Sequence, residues 1–231
     1  MGGGGDALEP SGSQVGTPTR LPSAVEFLLG AAIVIGHNVF HVVPNEVPIL
    51  FVVGLLSLRL RDGGLSAIGL KRPDSWARIV QIAAAAAVLR IVLGEYVIGP
   101  ITARFWPPAI EAAGAEEITG NLPMALLALL IVWTFAAFGE EFVYRGYLLT
   151  RAADVGGRST SACLIAMILA SILFGYGHYY KGPAGIVDSG VAGLILGTAW
   201  LVSGRNLWAC ILAHGFIDTF AVTIVYLGWN T

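Results

Sequence analysis

What most limits the fold of this chain is a succession of apolar runs, most of them close to the length that crosses a bilayer. A hydrocarbon core about 30 Å thick needs roughly 20 residues of helix. Backbone polar groups inside it must be satisfied within the structure, which leaves helices or a closed barrel. Seven runs stand out, at residues 24–43, 47–60, 77–99, 122–149, 159–178, 184–203 and 206–229. The second is short. At about 1.5 Å per residue it reaches only about 21 Å, so it either extends into residues 44–46 or fails to cross. Of the 231 residues 56% are hydrophobic and 12% are charged, about half the charged share of a soluble domain. The expected fold is an all-α integral membrane protein, with about seven transmembrane helices in one bundle spanning residues 23–231.

The basic residues orient that bundle. With the N-terminus cytoplasmic, Arg20, Arg59, Arg61, Lys71, Arg72, Arg78, Arg151, Arg158 and Arg205 fall on the inner side. Arg104 and Lys181 face out, and Arg90 and Arg145 lie within spans. This asymmetry is a positive-inside signal. A net charge of −2 and the lack of a basic tail argue against a nucleic-acid partner. Residues 1–22 are rich in Gly, Ser, Thr and Pro without the apolar core of a signal peptide, and read as a disordered cytoplasmic tail. Gly2 would suit myristoylation, but Asp6 occupies the position where that motif takes Ser or Thr. Cys163 and Cys210 fall in apolar runs and suggest packing, with neither a disulfide framework nor a zinc cluster. The outer loop 100–121 is expected to hold a short interfacial segment, and no internal repeat of the kind found in inverted-repeat transporters is evident.

Three ionisable residues interrupt the fourth run: Glu140, Glu141 and Arg145. A charge near the bilayer centre costs roughly 3 kcal/mol on insertion scales, so such groups pair, line a water-filled cavity or do chemistry. On a helix Glu141 and Arg145 are neighbours at i and i+4 in the favoured acid-then-base order. Glu141 is therefore assigned to neutralising Arg145, which leaves Glu140 free to face a cavity. The fifth run ends Phe174-Gly-Tyr-Gly-His178, with Phe174 and His178 on one face, and the seventh carries His214-Gly-Phe-Ile-Asp218, which again places its two polar groups together.

Each of these has an ordinary explanation. The Glu/Glu/Arg set can be a buried ion cluster that fixes packing, although a buried pair is weak support for stability. His178 can be interfacial, and His214 with Asp218 can be a satisfied polar patch. Two histidines, an aspartate and an unpaired glutamate converging on three helices are harder to attribute to packing alone. A desolvated carboxylate beside other acids is suited to general-base work. His37 and His41 share i, i+4 spacing and could hold a metal, but lie beside Pro44 and Asn45 and read as interfacial. Glu95 and Asp188 are single acids without a partner nearby in sequence.

The ordered motifs Glu140-Glu141-x-x-x-Arg145, Phe174-x-x-x-His178 and His214-x-x-x-Asp218 resemble those of the CPBP intramembrane proteases, also called the Abi or CAAX protease family, which includes the type II CAAX prenyl endopeptidases. The third motif more often ends in Asn, so Asp218 is a variant that removes an amide donor. The resemblance covers residues 122–229 as a catalytic core, and the stretch Ile68-Gly-Leu-Lys-Arg-Pro73 is similar to the linker that precedes it. It implies hydrolysis of a peptide bond in the membrane. Glu140 would be the base and His178 its partner on a water. His214 and Asp218 would stabilise the oxyanion or, if a metal is present, ligate it. Glu141, Arg145 and Phe174 would support them. Members are commonly labelled metalloproteases; Glu140, His178, His214 and Asp218 would be an acceptable zinc set, although no His-Glu-x-x-His helix is present.

The resemblance leaves the substrate as either the C-terminal tripeptide of a prenylated protein or, in bacteria, small peptides or membrane proteins, and the short chain points to a multi-pass bacterial plasma-membrane enzyme. Two alternatives use the same residues: a proton-coupled transporter, and a non-catalytic bacteriocin immunity module. One difficulty faces a shared site. Glu140 lies about 15 Å by helical rise from the inner end of a span closing at Leu149, whereas His178 lies at the far end of the next. The expected remedy is that residues 152–161 turn back into the membrane.

Overall fold

The structure, a computed structural model, describes residues 20–107 and 115–229. The expected tail lies outside the described residues except for Arg20, Leu21 and Pro22, which already open the first helix. Among the described residues every element is helical. The helices are α1 (Arg20–Asn38), α2 (Glu46–Ser57), α3 (Trp76–Thr102), the short α4 (Ala115–Ile118), α5 (Leu122–Val155), α6 (Thr160–Tyr176), α7 (Gly182–Val202) and α8 (Leu207–Tyr226).

Polar residues just before the apolar runs start five of these helices by accepting an otherwise orphaned backbone N–H. Asn45 caps α2 through Val47, Ser75 caps α3 through Arg78, Asn121 caps α5 through Met124, Ser159 caps α6 through Ala162 and Asn206 caps α8 through Trp208. Once started, the apolar runs propagate as helix and turn their large side chains outward. Leu28, Val52, Val88, Leu130, Phe135, Ile168 and Ile172 are all exposed, as befits a surface that faces lipid.

Five helices are long and apolar enough to cross a membrane: α1, α3, α5, α7 and α8. The other two expected spans are shorter: α6 has 17 residues and α2 has 12, continued by one wide turn over Leu58–Asp62. The expected segment between α3 and α5 appears as α4, with Glu116 and Glu117 in its first turn.

Helix α5 differs most from its sequence-based description. It runs 34 residues, through Thr150 and Arg151 to Val155, rather than closing at Leu149. Residues 152–155 finish this helix, 156–159 make a tight turn, and Thr160 begins α6. Residues 152–161 form no re-entrant segment, and the antiparallel hairpin makes one unnecessary. Glu140 stands 15 residues before the end of α5 and His178 stands 18 residues after the start of α6. Both therefore lie about 22–27 Å from the shared turn by helical rise.

Hydropathy misplaces the end of α5 because its last two turns carry Arg151 and Asp154, both fully buried. Asp154 is met by Arg151 and Arg158, and Arg151 also by groups of α1 and of the segment after α2. Arg151 donates from Nε to Glu26 of α1 at 2.9 Å, from Nη1 to Asp154 at 3.0 Å, and from Nη2 to Ser57 at 2.7 Å and Asp62 at 2.5 Å. Glu26 is also bound by Arg61, by the Ser57 hydroxyl and by the Tyr147 hydroxyl. Arg158, after the turn, donates to Asp154 at 2.5 Å and reaches Asp62 at 3.4 Å. The network ties α1, α2 and α5 together.

Helices α6 and α7 meet instead through small residues. A Cβ on Gly175 would stand 2.7 Å from the carbonyl oxygen of Ile186, and one on Gly193 would stand 2.9 Å from Ser171. Such close approach is the usual means of helix association in lipid. The segment before α3 is anchored where Gly69, at φ +84°, accepts from the Leu207 N–H at 2.9 Å.

Removing the guanidinium at the centre of the polar network tests its weight. Arg151→Met would leave Asp154 and Asp62 facing Glu26 with less cationic charge. A loss of about 3 kcal/mol or more is expected, as for breaking a buried pair. It would be read as a lower unfolding midpoint in detergent; an unchanged midpoint would show that the network is dispensable for stability.

Candidate functional site

The middle of α5 is wound wider than an α-helix. Residues Val132–Glu140 and Phe142–Leu148 have π-helical, i→i+5 character, marked by the Leu149 N–H bonding back to the Tyr144 carbonyl. Such winding is rare and concentrates at functional sites. It flanks Glu140 and Glu141 on both sides. Residues 141–151 are buried without interruption, so the helix at this level is enclosed on all faces.

Glu141 is the polar centre. Its Oε1 accepts from Arg145 Nη1 at 2.7 Å and from His214 Nδ1 at 2.8 Å. The first contact is the expected i, i+4 pair; the second reassigns Glu141, which orients a histidine of α8 as well as neutralising Arg145. The other ring nitrogen of His214, Nε2, faces Asp218 Oδ2 at 3.5 Å. His214 is thus strung between two carboxylates, an arrangement that a ring protonated on both nitrogens satisfies by donating to each.

Phe174 connects the remaining parts. The Arg145 guanidinium lies 4.1 Å from the centre of its ring. Tyr144 and His214 meet it edge-on with centroids 5.1 and 6.1 Å away, and His178 lies 4.8 Å away. His178 donates Nδ1–H to the Phe174 carbonyl at 2.9 Å. A carbonyl only accepts, so Nδ1 carries the proton and the neutral ring keeps the Nε2 lone pair for another partner. Tyr180 stacks on His178 with ring centroids 6.1 Å apart.

Glu140 has no such engagement: its Oε2 is buried without a hydrogen-bond partner, and the same holds for Glu141 Oε2 and Arg145 Nη2. Glu140 lies in the electrostatic field of His214, Asp218, Glu141 and Arg145, and Tyr180 in that of Glu140 and Asp218. Hydrogen bonds therefore join Arg145, Glu141 and His214, with Asp218 facing the same ring; ring contacts bring in Phe174 and His178, and Glu140 enters through the shared field.

These positions do not fit a metal ion. Among the described residues no three His, Cys, Asp or Glu side chains are arranged to hold one.

Some neighbours were not legible as such. Glu46, only 5% exposed, accepts the Tyr144 hydroxyl at 3.2 Å and pairs with His37 Nε2 at 3.4 Å. His37 also donates Nδ1–H to the Val43 carbonyl at 2.9 Å. His37 thus leads inward toward the site, whereas His41 is exposed. Asp188 pairs with Arg90 at 2.5 Å across 98 residues, and Glu95 is exposed. The only sequence signal for Tyr144 was its place between Glu141 and Arg145. Glu46 gave none beyond being an acid at the start of an apolar run.

The fold and site define a polytopic helical membrane protein with a buried acid–histidine–arginine centre. The model of the Rce1-like family, described as type II CAAX prenyl endopeptidase Rce1-like, matches residues 122–220. That region holds Glu140, Glu141, Arg145, Phe174, His178, His214 and Asp218, so its likeness to the CAAX-type intramembrane proteases agrees with the three motifs. Comparison with curated proteins and with solved structures gives no significant match.

Phe174 offers a test of how the centre is held. Phe174→Leu keeps apolar volume but removes the ring that contacts Arg145, Tyr144, His178 and His214. A destabilisation of about 1–3 kcal/mol is expected from the lost ring pairs and cation–π contact. Thermal unfolding of the detergent-purified protein reads it; a variant as stable as wild type would show that the ring contacts carry no net energy.

Proposed function

We propose that the chain is an intramembrane endopeptidase in which Glu140 and His178 activate a water for attack on a peptide bond. The observation that carries this reading is the Glu140 carboxylate, whose Oε2 is buried without a partner, set beside a Glu141 whose Oε1 is held by both Arg145 and His214. A buried acceptor without a partner is costly, and a bound water supplies what it lacks. His178 contributes Nε2 as the second acceptor on that water.

In the reaction, Glu140 takes a proton as the water oxygen bonds to the scissile carbonyl carbon, and the carbonyl π electrons move to oxygen. His214, fixed through Nδ1 by Glu141, presents Nε2–H to the developing oxyanion in competition with the 3.5 Å contact to Asp218. Arg145, with Nη2 unpartnered, adds positive charge nearby. Collapse of the intermediate breaks the C–N bond, and Glu140 returns the proton to the leaving amine. Asp218 cannot donate as a carboxylate; its role is to hold the His214 ring. Catalysis then comes from a general base and oriented donors in a water-poor site.

The substrate is proposed to be a lipid-anchored CAAX-type C-terminus or a small membrane peptide. The gathering of Arg61, Lys71, Arg151, Arg158 and Arg205 at the end of the bundle where α5 turns into α6 supports a cytoplasmic placement for that end. The same reasoning supports a cytoplasmic N-terminus, since α1 begins at that end; a plasma-membrane location remains part of the proposal.

Glu140→Gln should lower the cleavage rate of a farnesylated CAAX peptide in nanodiscs by about 10²–10⁴-fold, the usual worth of a general base, while the unfolding midpoint stays at or above that of wild type. Cleavage at the wild-type rate by the folded variant would sink the proposal. Treatment with 1,10-phenanthroline should leave the rate within about twofold, given donors that do not converge; inactivation reversed by added zinc would overturn the metal-free mechanism.

A further inference from the structure

A second polar cavity lies apart from the site just described. It occupies about 180 Å³ at the end of the bundle where the loop before α3, the α5–α6 turn and the α7–α8 turn meet, and Lys71, Thr150, Arg158, Trp200 and Arg205 line it. Thr150 stands ten residues along α5 from Glu140, about 15 Å by helical rise. The volume holds several waters at about 30 Å³ each, enough for a phosphate group.

Three observations give this cavity a preference for anions. Trp200 is 4% exposed, yet its indole N–H has no hydrogen-bond partner. An indole only donates, and leaving a buried donor unmade is costly, so an acceptor placed in the cavity would remove a standing penalty. Lys71 and Arg205 have no carboxylate partner among the described residues. Arg205 donates to the Arg158 carbonyl at 3.3 Å and lies 5.8 Å over the Trp200 ring, which places its charge against the indole. Arg158, by contrast, is occupied by Asp154 and Asp62. It adds rigidity and saturates the nearest acids, which would otherwise repel an anion.

We propose that this cavity binds a phosphate-bearing anion, with Trp200 Nε1, Lys71 and Arg205 as its donors. Basic pockets between helices at a cytoplasmic membrane face suit the head groups of anionic lipids, and a soluble phosphate shares the same chemistry. The site does not depend on the protease reading, since none of its donors takes part in the proposed hydrolysis.

The test compares the full chain in detergent with added phosphatidylglycerol, phosphatidylcholine or inorganic phosphate at constant ionic strength. Thermal unfolding and native mass spectrometry of retained lipid are the readouts. Wild type should rise by roughly 3 °C with phosphatidylglycerol, the size of shift that saturating binding to the folded state produces, and should retain one lipid. Phosphatidylcholine should do neither. Trp200→Phe keeps the ring over which Arg205 lies and should halve the shift or more; Lys71→Gln with Arg205→Gln should abolish it. Unfolding in phosphatidylcholine shows that both variants fold. An equal shift with inorganic phosphate, lost in the same variants, would support the site and assign it to a free anion. A wild type indifferent to both anions, or variants that respond as wild type does, would overturn the proposal.

Discussion

A guanidinium cannot be left inside a helical bundle without acceptors on several sides, and the structure is organised around two that are enclosed in this way. Arg151 is saturated: its donors reach Glu26 of α1, Ser57 of α2, Asp62 just beyond α2 and Asp154 of its own helix. Because these acceptors come from distant parts of the chain, the arginine can be buried only when α1, α2 and α5 are assembled. Arg145, less than two turns earlier, has one carboxylate, one aromatic ring and an unpartnered Nη2. The first arginine is arranged for structure. The second keeps an unused donor at the level of Glu140 and His214.

The hairpin of α5 and α6 carries this arrangement into the site. Because α5 continues to Val155, the turn at 156–159 lies well beyond the buried acids, and α6 returns antiparallel at the same level. Phe174 then falls against Arg145 and Tyr144, and His178 beside Phe174. Small residues let α7 close against the other side of α6, while α8 brings His214 to Glu141. The wide winding of α5 lies at the same height.

Local spacing made part of this legible. Glu141 and Arg145 are an i, i+4 pair in sequence and in space, and an all-helical membrane fold follows from hydropathy alone. Hydropathy failed at the end of α5, where it takes Arg151 and Asp154 as the membrane boundary; Arg151 also pairs with acids 89 and 125 positions away, which no local pattern shows. The same limit hid the Arg90–Asp188 pair and the Glu46–Tyr144 contact, since no periodicity links residues on separate helices. The π winding has no signature in a run of apolar side chains, because it is set by what packs around the helix. The reading of Glu141 as a partner of Arg145 alone missed His214, whose approach depends on where α8 docks.

The distribution of these long-range contacts has a bearing on what counts as the unit of this protein. The region that matches the Rce1-like family begins at residue 122, but Glu26, Ser57 and Asp62, which with Asp154 accept from Arg151, and Glu46, which anchors the Tyr144 hydroxyl, all precede it. Helices α1 and α2 are therefore internal walls of the matched region, contributed from outside its sequence boundary. A chain cut at the matched region would expose Arg151 and Tyr144 to lipid on the face those helices cover. The boundary drawn by sequence likeness encloses the chemistry, whereas the boundary drawn by charge neutralisation encloses nearly the whole chain, and the second is the one along which this protein can be inherited, truncated or recombined intact.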